Sequence, residues 1–226
     1  MPGLTLADLV RNRTMSPEIA GVLATAAAER RSLLMIAIPR MAGKSTTMEA
    51  ALAYSPAGTR LHQLDTADGP ELGIPEQGDG GYLVMSEISE APFSTYLWGE
   101  PVRHAFSALE RGFSLATALH AGSVDDAFSI ITEANGVPDE DAARLDLAVY
   151  IRSLGDDWQN PERRVIAEVR EVDTVANGQP RGRTLFLWNE TDDRFEAPEP
   201  ARTIGAEGSG LAAATAHFRA ALGADS

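Results

Sequence analysis

Hydrophobic and polar positions switch repeatedly between two periods along the chain. Residues 17–31, "PEIAGVLATAAAERR", are apolar at helical spacing behind Ser16 as N-cap, Pro17 at the first helical position and Glu18 near the positive end, which predicts a helix to Arg31. "SLLMIAI" is short and apolar throughout, as a strand buried on both faces should be. A loop, "PRMAGK", leads into a second helix, "STTMEAALAY". "TRLHQLD" is strand-like and is followed by the aperiodic, Gly-, Pro- and acid-rich "TADGPELGIPEQGDGG". "YLVMSEIS" is a third apolar run. "EPVRHAFSALERG" then places Val102, Ala105, Phe106 and Leu109 on one helical face and stops at Gly112. "FSLATALHA" reads as a strand, and Ser123 caps "VDDAFSIITEA".

Strands alternating with helices argue for an α/β fold with a mostly parallel central sheet flanked by helices and joined by right-handed crossovers. Beyond Asp139 the pattern changes. "LDLAVYIRSL", "RRVIAEVREVDTV" and "RTLFLWN" read as strands, the last two joined through "ANGQPRG" as a C-terminal antiparallel β-hairpin. "EAPEPARTIGAEGSG" is linker-like, and "LAAATAHFRAAL" is a terminal helix whose alanine-rich face favours fraying. The division expected is an N-terminal helical segment (1–30), a main α/β domain (31–196), and a linker with a C-terminal helix (197–226).

Composition narrows the partners. A chain of 226 residues can bury one substantial core. Its net charge of -14 opposes binding to nucleic acid, whose affinity is built on Lys and Arg displacing counterions. Cysteine is absent, which rules out disulfides and thiolate-bound metals. No stretch approaches the length of a membrane span, and the N-terminus lacks the basic-then-apolar pattern of a signal, so a cytoplasmic protein without membrane insertion is expected. Of the 19 basic residues 18 are arginine; the one lysine is Lys44, within "RMAGKST".

That placement carries the chemistry. A strand, a loop ending in Gly-Lys-Ser and a helix match the phosphate-binding loop G-x-x-x-x-G-K-[ST] except at its first glycine, where Ile38 stands. In such a loop the backbone amides of Arg40, Met41, Ala42, Gly43, Lys44, Ser45 and Thr46 cradle phosphates, Lys44 reaches the β- and γ-oxygens, and Ser45 ligates Mg²⁺. Pro39 removes one of the loop's donors. Glu87, just past the apolar part of "YLVMSEIS", stands where a second acid would orient Mg²⁺ or water, with Glu90 a weaker substitute. His120 ends a strand at the sheet edge that open α/β folds use for ligands, and is open between a structural and a functional role. Asp65 and Asp68 are further candidates for the metal or water shell, although acids are common in loops.

The order of these pieces resembles the type II/type IV secretion and pilus-assembly ("traffic") ATPase family, in the branch serving type IV secretion and Flp-type pili. The likeness lies in the helix and basic pair before "SLLMIAIPRMAGKST", in Glu87 at the end of its strand, in "ALERGFSLATALHAGSVDDAF" with Thr117 to His120 as the His box, and in "RRVIAEVREV". It implies a RecA-like P-loop domain that binds ATP and Mg²⁺ and works as a homo-oligomeric ring with proteins of a secretion or pilus machine. Gly43 to Thr46 would hold the nucleotide, Glu87 would be the Walker B acid, and His120 would sense the γ-phosphate. Departures from the family pattern are the first glycine, the Leu64-Asp65 pair in place of Glu-Asp, and an acidic loop in place of arginines before "YLVMSEIS". Fewer residues precede the P-loop strand than the family's N-terminal domain would need. A slow ATPase and a non-hydrolysing nucleotide sensor or scaffold are therefore both compatible with the sequence.

Overall fold

The computed structural model describes residues 3–38, 41–157, 159–206 and 210–223. Its strands are β1 (Leu33–Ile38), β2 (Leu61–Gln63), β3 (Tyr82–Ile88), β4 (Tyr96–Leu97), β5 (Ser114–Leu119), β6 (Leu147–Leu154), β7 (Arg163–Ala176), β8 (Gln179–Asn189) and β9 (Arg194–Glu196). They form one sheet in the order β2-β3-β5-β1-β6-β7-β8-β9, with β4 beside β3. The strands from β2 to β6 are mutually parallel, and β6 to β9 pair antiparallel. A strand thus intervenes between the strand that precedes the Gly-Lys-Ser loop and the strand that carries Glu87, as in RecA-like P-loop folds.

The helices are α1 (Leu6–Arg11), α2 (Pro17–Ala28), α3 (Lys44–Leu52), α4 (Glu100–Ala108), α5 (Val124–Ser129), α6 (Asp139–Ala142) and α7 (Gly210–Gly223). Successive side chains of a strand point to opposite faces, and β1 divides accordingly. Leu33, Met35 and Ala37 join a core with α1, α2, α3 and α7, while Leu34 and Ile36 join another with α4, α5 and α6. The continuous apolar run predicted to be buried on both faces is so buried. Ser16 and Ser123 cap α2 and α5 as expected, although α2 ends at Ala28, short of Arg31. Helix α1, capped by a reciprocal Thr5–Asp8 pair, is not anticipated by the apolar pattern.

The C-terminal region departs most from expectation. Helix α7 lies on α2, where a Cβ on Gly21 would come within 2.4 Å of Thr215 Oγ1. Phe218 is 1% exposed and stacks edge-on against Tyr54, and Arg219 pairs with Glu18. Helix α2 is therefore covered on one side by the sheet and on the other by α7, which accounts for the unbroken burial of Ile19 to Ala27. The predicted fraying overlooked this second apolar partner. Nor is the stretch before α7 a free linker. The buried Glu171 carboxylate accepts from Arg202 N (2.7 Å), Thr203 N (2.8 Å), Thr203 Oγ1 (2.6 Å) and Ile204 N (3.0 Å).

The β7–β8 hairpin turns at Asn177 and Gly178, with φ of 53° and 72°, the left-handed pair of a tight hairpin turn. A Cβ on Gly178 would sit 2.7 Å from Thr132 Oγ1. Gly178→Ala is expected to cost about 1–2 kcal/mol through strain at positive φ and this contact. A shift in the urea midpoint without a change in slope checks it.

Candidate active site

The loop after β1 and the first turn of α3 form the floor of a cleft of about 840 Å³. Gly43 is the N-cap of α3 with φ of 93°, and Met41 also lies in the left-handed region at 64°. No described side chain caps α3, whose first backbone bond runs from Thr47 N to Gly43 O at 2.9 Å. Among the described residues nothing accepts from the amides of Ser45 and Thr46. An uncapped helix start at the head of a parallel strand suits an anion, because its donors and its dipole face the same point. Arg40 and Pro39 lie outside the described residues. Ile38, at the place of the first loop glycine, ends β1 with half its surface exposed.

Three of the sequence-predicted residues meet beside this floor. Lys44 is 6% exposed and its Nζ lies 3.2 Å from His120 Nε2 and 3.9 Å from Glu87 Oε2. Glu87 is 8% exposed, and its Oε1 is 2.9 Å from His120 Nε2. The sheet order explains the meeting. β5 lies between β1 and β3, so His120, just past β5, stands between a residue that follows β1 and one near the end of β3. Burial of an ammonium and a carboxylate is tolerated because they compensate one another. The imidazole Nε2 faces a donor-only ammonium and an acceptor-only carboxylate, and in a neutral ring it can serve one of them at a time.

Asp65 is not brought to this cleft. It follows β2, at the far side of β3, and its carboxylate accepts from Ala67 N at 2.8 Å, within its own turn. Asp68 and Glu90 do not line the cleft either. The basic pair before β1 is also structural. Arg30 donates to Gly80 O, and Arg31 to Glu29, Asp146 and Thr203 O.

The opposite wall went unread in the sequence. It includes Leu9, Asn12 and Thr14 from α1 and the turn after it, and Arg163 and Arg164 at the start of β7, while Tyr96 lines the cleft beside its strand partner Glu87. The Arg163 guanidinium donates to Arg13 O (2.8 Å from Nη2) and to Asp193 Oδ1 (2.7 Å), and Thr14 O accepts from Ile166 N (2.8 Å). These bonds fix the α1–α2 turn against β7. The one available signal was the Arg-Arg pair itself, at the start of a strand predicted from its alternation.

A nucleotide with Mg²⁺ fits these residues in donor chemistry. The amides and Lys44 suit phosphate oxygens, and the Ser45 hydroxyl and Glu87 suit Mg²⁺, which takes few protein ligands and keeps water and phosphate oxygens for the rest. Among the described residues no group of three or more His, Asp or Glu forms a metal cage.

No family model and no curated protein matches the chain. Among solved structures it is similar to the VirB11 ATPase of the Brucella suis type IV secretion system in complex with sulphate, at 16% identity and a TM-score of 0.46, over 66% of this chain and 50% of that one. It is also similar to the Legionella pneumophila ATPase DotB, at 14% identity and a TM-score of 0.42, over 86% and 54% of the respective chains. The chain spans about half the length of each. A likeness this distant carries neither a family nor an activity to this chain, and the reading of the cleft rests on its own geometry. No described helix is long and apolar enough to cross a membrane.

Proposed function

We propose that the chain binds ATP with Mg²⁺ at Gly43 to Thr46 and hydrolyses it slowly, in the service of a secretion or pilus-assembly machine. The observation that carries this is the uncapped start of α3 beside buried Lys44 and Glu87, with the half-buried His120 between them. A polyanion seated on the Ser45 and Thr46 amides would draw the Lys44 ammonium toward its β- and γ-oxygens. With the ammonium turned away, His120 Nε2–H would donate to Glu87, and the carboxylate would be held to orient a water. Mg²⁺, when bound, neutralises the charge on the phosphates. Phosphoryl transfer depends on positioning and charge neutralisation, and the family's arginine-bearing segment is here an acidic loop, so turnover is expected to be slow. Assembly into a ring, a cytoplasmic location and a docking partner in the machine belong to the same reading, as the resemblance of the sequence motifs implies.

The second reading, a nucleotide-sensing scaffold without turnover, draws on the position of Asp65, which leaves Glu87 as the one acid in the predicted set that lines the cleft. Glu87→Gln separates the two. In the hydrolysing protein it is expected to keep ATP affinity within about threefold and to lower turnover by roughly 10²-fold or more, read by phosphate release beside a binding titration. Wild type that binds ATP and releases no phosphate over hours favours the scaffold.

A further inference from the structure

Arg164 stands half-buried at the start of β7, in the antiparallel extension of the sheet and far in sequence from the phosphate loop. Its Nε donates to Met41 O at 3.0 Å, and its Cδ lies 3.2 Å from where a Cβ on Gly43 would be. The side chain thus lies along the loop, against both of its left-handed residues. It also lines the cleft. Among the described residues no acceptor takes a hydrogen bond from its two terminal amino groups. This contrasts with the neighbouring Arg163, whose terminal groups are spent on Arg13 O and Asp193.

Two needs of the loop meet in this residue. With Met41 at φ of 64°, the loop holds a conformation that is strained for a residue bearing a Cβ. A donor on the Met41 carbonyl pins that peptide in one orientation. A planar guanidinium with two unspent amino groups is also well suited to two oxygens of a phosphate chain. We propose that Arg164 is both a positioning residue for the phosphate loop and a direct ligand of the phosphate chain, supplied in cis by the antiparallel extension. The assignment rests on the nucleotide reading above and specifies which side chain provides the cationic fork.

Titration of the whole protein with ATP and with inorganic tripolyphosphate, each with Mg²⁺, tests it on wild type, Arg164→Met and Arg164→Lys. The Met variant keeps the aliphatic stem over Gly43, so thermal melts within a few degrees of wild type are expected. It should weaken both ligands by about 10- to 50-fold and to the same extent, because the contact is to phosphate rather than to base. Lys should recover only part of the loss, since an ammonium restores the charge but not the bond to Met41 O. In the unliganded variants the amide resonances of Ala42 and Gly43 should move. Wild type that binds with Arg164→Met unchanged, or full rescue by Lys with the resonances still, overturns the assignment alone. Wild type that binds neither ligand overturns the nucleotide reading and this assignment with it.

Discussion

Lys44→Ala is expected to lower affinity for ATP·Mg²⁺ by at least about 100-fold, close to 3 kcal/mol, while the protein remains folded. The chain's one lysine is nearly buried, where an ammonium needs compensation. It finds that compensation in Glu87 and His120 on the two neighbouring strand ends. Removing it leaves the Glu87 carboxylate with the His120 imidazole as hydrogen-bond partner, so a stability loss of about 2 kcal/mol is expected rather than unfolding. Arg at this position should not restore binding, because its planar head cannot occupy the space of an ammonium between those two groups. Calorimetric titration beside a thermal melt separates the ligand effect from the stability effect.

The second large effect is on stability. Glu171→Ala leaves three main-chain amides and the Thr203 hydroxyl without their acceptor. The segment they hold leads directly into α7, so the loss should reach the α2–α7 contact and the burial of Phe218. A cost of about 3 kcal/mol, or a fall of roughly 10 °C in Tm for a chain of this size, is expected. Burial pushes the Glu171 carboxyl up, but the hydrogen bonds from the Thr203 side chain and from the amides of Arg202, Thr203 and Ile204 outweigh it and hold the group below its ordinary value. Stability from a depressed carboxylate is present above its unfolded pKa and lost as pH falls through the folded one. The gap between wild type and Glu171→Ala should therefore be full at neutral pH and close below the ordinary glutamate range. Asp146, which burial pushes upward despite its bonds from Ser32 N and Arg31, acts with the opposite sign. It gains relative stability on acidification and blunts the wild-type loss without removing the difference between the two proteins.

Local patterning made the sheet legible. The unbroken apolar run of β1 requires cover on both faces, and the alternation in the β7 and β8 segments with Asn177-Gly178 between them requires a hairpin; both are present. Strand order was not legible, since it depends on which crossovers pack where. With it went the reason that His120, rather than an acid after β2, adjoins Lys44. Asp65 follows a strand, as a metal-shell acid would, yet that strand lies beyond β3 and the carboxylate caps its own turn. The wall formed by the α1–α2 turn and the start of β7 brings together residues about 150 positions apart through main-chain acceptors, such as Arg13 O for Arg163, and no local pattern signals such a bond. The C-terminal segment misled because its polar, Pro- and Gly-rich composition looks like a linker, whereas it is fixed by groups far away in the chain, the buried Glu171 and also Arg31 and Glu29. Its helix has a weak face only until α2 is recognised as apolar all round.

On this reading the amides of the loop and the first turn of α3 are set to hold a polyphosphate. Amide resonances recorded during titration of the isotopically labelled protein with ATP and Mg²⁺ test it most directly. Saturable shifts centred on Gly43, Lys44, Ser45 and Thr46, lost in Lys44→Ala, are predicted. Resonances of those four residues that stay fixed at millimolar ATP would contradict it.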